Sequence, residues 1–109
     1  MIRMEWYKIF SNETDATEHM SQNPLQLVIL NGERVCLAYT QQRFFAVQDK
    51  CTHNSESLSK GHLNHLGEVI CPWHNYCFNL QSGNEAQDRS RALKTYPIKI
   101  EETGFYIGI

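Results

Sequence analysis

The sequence predicts an all-β fold, a small sandwich or barrel built from short strands. Three observations support this: the apolar segments are short, turn residues recur between them, and helical periodicity is almost absent. The chain has 109 residues, enough for one ordinary domain and too few for two. We therefore expect a single domain, 1–109, in which residues 51–78 form a small subdomain inserted between strands of the scaffold.

The first part of the chain predicts one strand followed by an irregular segment. Residues 6–10 are mainly apolar and aromatic and favour a strand. Residues 11–23 are polar, and only residues 15–18 resemble the start of one helical turn. We expect an irregular connection here.

A hairpin and a third strand follow. Residues 24–30 and 34–40 flank Asn31-Gly32, a strong hairpin signal because both residues tolerate positive φ. Residues 43–47 then predict a strand that leads directly to Cys51.

The rest of the chain predicts shorter elements. Residues 62–70 can form a small hairpin, and residues 77–80 a short strand. Residues 84–91 are polar and indicate a loop. Residues 95–100 and 105–109 are expected to form a terminal hairpin.

Composition limits the function classes. The formal net charge is −2 with 20% charged residues, which argues against a nucleic-acid-binding surface. No apolar run approaches a membrane span, and the N-terminus lacks the pattern of a secretory signal. We expect a cytoplasmic protein without membrane contact, and we expect a monomer.

Two short motifs carry the chemistry. Cys51-x-His53 and Cys71-x-x-His74 each pair a sulfur with an imidazole. Two cysteines and two histidines are the ligands of a Rieske [2Fe–2S] centre, in which histidines replace two cysteines on one iron. Two ferric ions, two sulfides and two thiolates sum formally to zero charge. This neutral cluster accepts an electron more readily than an all-cysteine cluster, and potentials rise from about −400 mV to between about −150 and +300 mV.

Zinc is the alternative. Two cysteines and two histidines can bind Zn²⁺ tetrahedrally, and the chain would then be a zinc-stabilised binding module. Structural zinc sites usually pair cysteine with cysteine and histidine with histidine at short spacing. The mixed pairs found here fit that pattern poorly.

The motifs and their surroundings resemble the Rieske-type ferredoxins, roughly over residues 24–109. The resemblance implies a β-sandwich with a cluster-binding subdomain and one [2Fe–2S] cluster per chain. It implies that Cys51 and Cys71 bind one iron and that His53 and His74 bind the other. The residues that carry it are Cys51, Thr52, His53, Leu58, Ser59, Lys60, Gly61, Cys71, Pro72, Trp73, His74, Phe78 and Gly83, followed by Leu93 to Pro97.

The resemblance also implies a role. Oxygenases of this class need a second iron and a further catalytic domain, and respiratory versions need a membrane anchor; we find neither in the sequence. We expect an electron carrier without catalytic residues of its own. It would take electrons from a flavin-dependent reductase and pass them to an oxygenase or other redox enzyme. The alternative is a small subunit of a nitrite reductase-like enzyme.

Three positions near the motif lead to backbone predictions. The family usually has glycine directly after the second histidine, where this chain has Asn75. Asparagine tolerates the left-handed region better than most residues, so we expect positive φ at Asn75. Gly61 and Gly83 suit turns that need positive φ.

Two further positions bear on the reduction potential. High-potential respiratory relatives place Ser and Tyr where this chain has Tyr76 and Phe78, and they carry an extra disulfide between the loops. Here Ser55 or Glu56 and Trp73 stand at the disulfide positions. We therefore predict a potential near the low end of the range, about −150 mV.

Other candidate residues have ordinary explanations. Cys36 and Cys77 are expected to be buried small hydrophobes, and Trp73 a partly buried apolar lid or part of a docking surface. Isolated histidines and short basic runs are typical of solvated loops. This group comprises His19, His62, His65, Arg89, Arg91 and Lys94.

Overall fold

Antiparallel β-strands are the main regular structure, as predicted. The computed structural model describes residues 4–109, in which ten strands form three sheets, accompanied by one α-helix and a short 3₁₀ helix. The strand orders are β1-β10-β9, β2-β3-β4-β8 and β5-β6-β7. In chain order the elements are β1 (Trp6–Phe10), α1 (Glu13–Gln22), β2 (Leu25–Leu30), β3 (Glu33–Thr40), β4 (Arg43–Gln48), the 3₁₀ helix (Leu58–Lys60), β5 (His62–Leu63), β6 (Glu68–Ile70), β7 (Cys77–Asn79), β8 (Thr95–Tyr96), β9 (Ile98–Glu101) and β10 (Gly104–Gly108).

The four-stranded sheet is covered on both faces. Side chains alternate along β3, so Val35 and Leu37 enter one buried cluster while Cys36 and Ala38 enter another. The first cluster also contains residues of α1 and β10. The second contains Cys51, Cys71 and the rest of the inserted subdomain. The central sheet therefore separates the structural core from the layer that holds the candidate site.

The helix α1 corrects our expectation of an irregular segment at 11–23. Asn12 caps it by accepting a hydrogen bond from the Asp15 N–H at 2.8 Å. Ala16 and Met20, one turn apart, are fully buried. Two buried residues give only a sparse apolar stripe, and packing against the sheets supplies most of the stability of such a helix. The prediction was wrong because that packing is not visible in the local sequence.

The predicted first hairpin is confirmed. Leu30 pairs with Glu33 across Asn31 and Gly32, which have φ of 49° and 82°. The predicted strand 95–100 is instead divided at Pro97. β8 pairs with β4, whereas β9 pairs with β10 in another sheet. Proline has no N–H to donate to a ladder, so the strand changes sheets there.

The two glycines near the motif, Gly61 and Gly83, differ in backbone conformation. Gly83 has φ of 82°, as predicted. Gly61 has φ of −83°, so the prediction of positive φ was wrong there. An added Cβ at Gly61 would lie 1.9 Å from the Ile70 carbonyl oxygen. Glycine is needed at this position because the 3₁₀ helix lies directly against β6.

The helical segments within residues 4–109 are too short and too polar to traverse a bilayer.

Candidate metal centre

The first ligand loop leaves β4 and is closed by its own backbone. The Cys51 N–H donates to the Glu56 carbonyl, and the Ser55 N–H donates to the Cys51 carbonyl, both at 2.8 Å. Ser55 has φ of 64°. These bonds hold residues 51–56 in a compact turn that presents Cys51 and His53 on the same loop.

A buried carboxylate anchors the base of this loop. Asp49 is fully buried and accepts hydrogen bonds from the Ser57 hydroxyl and, at 2.8 Å, from the Ser59 N–H. Arg34 reaches the same carboxylate at 3.3 Å. Four groups from three segments thus meet at one point, and the chain on both sides of residues 51–56 is held in place.

The second ligand loop reverses direction over a few residues. The Cys71 N–H donates to the Tyr76 carbonyl at 2.8 Å, and His74 and Asn75 have φ of 64° and 56°. The prediction of positive φ at Asn75 is confirmed. Two consecutive left-handed residues make the tight reversal that aims His74 back toward the first loop.

The four candidate ligands are brought together in two pairs. Cys51 and Cys71 are 2% and 0% exposed and belong to the same buried cluster. His53 and His74 are exposed, and their ring centroids lie 5.2 Å apart. The sulfurs therefore lie on the protein side of the site and the imidazoles on the solvent side.

Backbone N–H groups face both sulfurs. The His53 N–H donates to Cys51 Sγ at 3.4 Å. Burial raises the pKa of the Cys71 thiol to about 11, and the Trp73 backbone N–H opposes that rise. Each donor follows its cysteine by two residues, and in the second loop the intervening Pro72 has no N–H to donate. The paired donors suit metal-bound thiolates.

The donor set fits an iron–sulfur cluster. The donors form a sulfur pair within one buried cluster and an imidazole pair at the surface. A binuclear cluster with a different ligand type on each iron needs this arrangement.

A third loop, residues 84–91, contacts both ligand loops. Arg89 lies over the Tyr76 ring at 3.9 Å, and the His53 ring stacks on the same ring at 4.0 Å with an interplanar angle of 17°. The Thr52 hydroxyl donates to the Arg91 carbonyl at 2.6 Å and lies 2.5 Å from the Ser90 hydroxyl. The third loop therefore packs against both ligand loops and helps to hold them in position.

The carboxylate of Glu85 holds this third loop in shape. Its side chain is fully buried and accepts two hydrogen bonds from the Arg89 guanidinium, at 3.0 and 2.7 Å. The backbone N–H groups of Gln87 and Arg89 also donate to it. Hydrogen bonding to Arg89 lowers the pKa of Glu85 to about 2. Arg89 lies on an exposed loop, as expected, but its guanidinium is held in place by Glu85, which the expectation of a solvated basic run did not include.

The remaining candidates do not belong to the two ligand pairs. Cys36 is fully buried, as expected, and burial raises the pKa of its thiol. Cys77 is only partly buried, and its thiol donates to the Asn75 carbonyl at 3.5 Å. Trp73 is 58% exposed and meets His74 edge-on, so it does not form the partly buried lid that we considered. The residues that we expected to lie in solvated loops include four that are exposed: His62, His65, Arg91 and Lys94.

Sequence reasoning missed the groups that position the loops. Asp49, Glu85 and Arg89 lie outside the ligand motifs. A single carboxylate in a polar stretch gives no local sign of burial. The only available signal was the four-residue spacing of Glu85 and Arg89, which is common on solvated surfaces as well.

Fold and site together define a small antiparallel β protein whose paired cysteine–histidine loops suit an iron–sulfur centre. The chain belongs to the Rieske [2Fe-2S] domain family, whose profile matches residues 6–97. Membership implies one [2Fe–2S] cluster per chain.

Two of the relatives are ferredoxin components of oxygenase systems. The chain is 34% identical over 76 residues to the 3-phenylpropionate/cinnamic acid dioxygenase ferredoxin subunit of Photorhabdus laumondii, covering 69% of this chain and 72% of the relative. It is 28% identical over 93 residues to the ferredoxin component of the alkene monooxygenase system of Xanthobacter autotrophicus, covering 85% of this chain and 76% of the relative.

A solved structure matches nearly the whole chain. It is a complex of reduced oxygenase and oxidized ferredoxin in carbazole 1,9a-dioxygenase, with a TM-score of 0.79 and 25% identity. The match covers 94% of this chain and 91% of the other. The predicted Rieske-type fold is confirmed.

Proposed function

We propose that this protein is a one-electron carrier in which Cys51 and Cys71 bind one iron of a [2Fe–2S] cluster and His53 and His74 bind the other. The observation that carries the proposal is the division of the site into two buried, adjacent cysteines and two exposed, adjacent histidines. When bound, the cluster supplies reversible one-electron transfer at a potential suited to a histidine-ligated iron.

The ligand residues have separate tasks in this proposal. Cys51 and Cys71 lie in an apolar layer that keeps water from the sulfur side. His53 and His74 are exposed, so a partner protein can approach the imidazole edges closely. Electron exchange requires short-lived encounters over a small interface, which an exposed tip of this kind permits.

The relatives support a physiological role for this carrier. Their names place them as ferredoxin components of dioxygenase and monooxygenase systems. By analogy, this chain passes electrons to an oxygenase or another redox enzyme, and it receives them from a flavin-dependent reductase. A single domain that acts as a monomer in the cytoplasm is part of the same proposal.

The first experiment asks whether the cluster is present. Protein purified without oxygen should be red-brown, contain two irons and two sulfides per chain, bleach with dithionite and then give a Rieske-type EPR signal. Colourless protein with stoichiometric zinc, both as purified and after iron–sulfur reconstitution, would replace the carrier with a zinc module.

The second experiment tests the ligand set with matched controls. Cys71→Ala and His53→Ala should each abolish the EPR signal. Cys77→Ala and His65→Ala, which change the same residue types outside the ligand pairs, should retain it. Loss of the cluster in the controls but not in the ligand variants would show that the set is wrong.

The third experiment identifies the partners. The reduced protein should transfer its electron to an oxygenase with the cluster as sole donor, and a flavin-dependent reductase should reduce it. Recovery of a nitrite reductase-like catalytic subunit in a pull-down, without electron transfer to an oxygenase, would favour the alternative subunit role.

A further inference from the structure

The two ligand loops are joined by a stack of side chains that includes a residue of each. Tyr76, on the second loop, lies between the His53 ring of the first loop and the guanidinium of Arg89. The two separations, 4.0 and 3.9 Å, are contact distances for flat groups. The stack therefore links both loops to the third loop, 84–91.

The outer end of the stack is fixed. Arg89 donates two hydrogen bonds from its side chain to Glu85, whose carboxylate is fully buried. Glu85 in turn is tied to β7 by the bridge between Phe78 and Glu85. A planar guanidinium held by a bidentate pair has little freedom to rotate, and it offers a flat, cationic face to the aromatic ring.

The position of Tyr76 makes the stack relevant to the site. Tyr76 also accepts the Cys71 N–H through its carbonyl, closing the second ligand loop. One residue thus closes that loop through its backbone and contacts the ligand of the other loop through its ring. A displacement of Tyr76 would change the orientation of His53 and the closure at Cys71 together.

We propose that Glu85, Arg89 and Tyr76 form a non-covalent clamp that positions His53 and holds the two ligand loops together around the cluster. The clamp connects loops 51–56 and 71–76 without a covalent bond between them; the described cysteines are all free thiols. Glu85 and Arg89 are positioning residues that act through Tyr76. This inference rests on the proposed ligand set, since His53 must bind iron for its orientation to matter.

The test uses variants that alter the stack in different ways. Tyr76→Leu removes the ring but leaves the Glu85–Arg89 pair intact, whereas Tyr76→Phe keeps the ring and removes only the hydroxyl. Arg89→Lys keeps the charge but loses the planar face and the bidentate fork. Arg43→Lys is the matched control, because Arg43 also lies over an aromatic ring, Phe45, at 5.2 Å, but outside all three loops.

Two measurements are made on the cluster-loaded proteins. The g values of the reduced cluster report the orientation of the histidine ligands, and the decay of visible absorbance reports cluster loss. Tyr76→Leu and Arg89→Lys should shift the g values and accelerate cluster loss about five-fold, the factor expected for one partly desolvated cation–aromatic contact. Tyr76→Phe and Arg43→Lys should match the wild type.

Each contrary result has a distinct meaning. Wild-type g values and decay rates in both Tyr76→Leu and Arg89→Lys would overturn the clamp. An effect of only one of these two would overturn the assigned chain of contacts from Glu85 through Arg89 to Tyr76. An equal effect of Tyr76→Phe would show that the hydroxyl acts, rather than the ring. Failure of the wild type to hold a cluster would instead reject the proposed function.

Discussion

At the scale of single residues, left-handed backbone positions shape the second ligand loop. His74 and Asn75 both have positive φ, a conformation that costs most residues about 1–2 kcal/mol. His74 cannot be replaced by glycine if it is a ligand, so the adjacent position is the one free to reduce the strain. Asparagine does so while retaining a side chain.

The effect of substituting Asn75 on stability should depend on how well the new residue tolerates positive φ. Asn75→Gly should leave the thermal stability of the loaded protein nearly unchanged, whereas Asn75→Val should lower the free energy of unfolding by about 1–2 kcal/mol. Circular dichroism and the visible absorbance can be followed in one thermal scan. Equal destabilisation by glycine and valine would show that side-chain contacts of Asn75 matter more than φ.

The buried carboxylate of Glu85 makes the stability of the protein depend on pH. Its pKa is lowered from 4.5 to about 2 in the folded protein, so the folded state favours the charged form. The stabilisation is complete above the unfolded pKa and is lost as pH falls through the folded value. The shift in the pKa of Glu85 corresponds to a contribution on the order of 3 kcal/mol to the free energy of unfolding at neutral pH.

Glu85→Gln isolates this contribution, because other acid effects are shared with the wild type. Urea unfolding should show the wild type to be more stable at pH 7, with the gap narrowing between about pH 4.5 and pH 2 as the carboxylate of Glu85 is protonated. A gap that stays constant over this range would mean that folding does not change the pKa of Glu85.

At the scale of elements, close packing constrains the inserted subdomain. The 3₁₀ helix ends at Lys60 and is followed by Gly61, where a Cβ would collide with the backbone oxygen of Ile70 on β6. The central sheet in turn meets this subdomain through Cys36, Ala38 and Val47. Small side chains allow the loops that carry Cys51 and Cys71 to lie close to the scaffold.

Two glycine substitutions distinguish the stability cost of a steric clash from the cost of an unfavourable φ. Gly61→Ala must displace backbone and should cost about 3 kcal/mol. Gly32→Ala keeps a φ of 82° but has nothing within 4 Å of the added Cβ, so it should cost only about 1 kcal/mol. Chemical unfolding of both variants measures the difference. A smaller loss for Gly61→Ala than for Gly32→Ala would contradict the close approach to Ile70.

At the scale of the whole molecule, the surroundings of the site predict a low potential. Hydroxyl donors near the cluster and its cysteine sulfurs stabilise the electron-rich reduced state and raise the potential. Phe78 is fully buried and has no hydroxyl, and the Tyr76 ring is stacked against His53.

Voltammetry of the loaded protein should therefore give a value near −150 mV, at the low end of the range for histidine-ligated clusters. Phe78→Tyr should raise the potential if its new hydroxyl reaches a cluster sulfur, and Phe78→Leu serves as a control without a donor. A wild-type value above about +100 mV would contradict the prediction.

The sequence alone determined the chemistry and the class of fold. The ligand types, their spacing and the turn residues around them are local features, and so are the hairpin at Asn31-Gly32 and the positive φ of Asn75. Each depends on a few neighbouring residues, because backbone preferences and metal affinity are properties of residue types.

Only the tertiary structure decided how the loops are held. Asp49 is bound by Arg34 and Ser59, which come from other segments, and Glu85 is buried where its loop meets β7. The helix α1 is stabilised by the sheets on which it packs, and Gly61 is required by its contact with Ile70. The stack of Arg89, Tyr76 and His53 joins three separate loops. Burial and contact are set by the whole chain, so no local pattern distinguishes these residues from solvated ones.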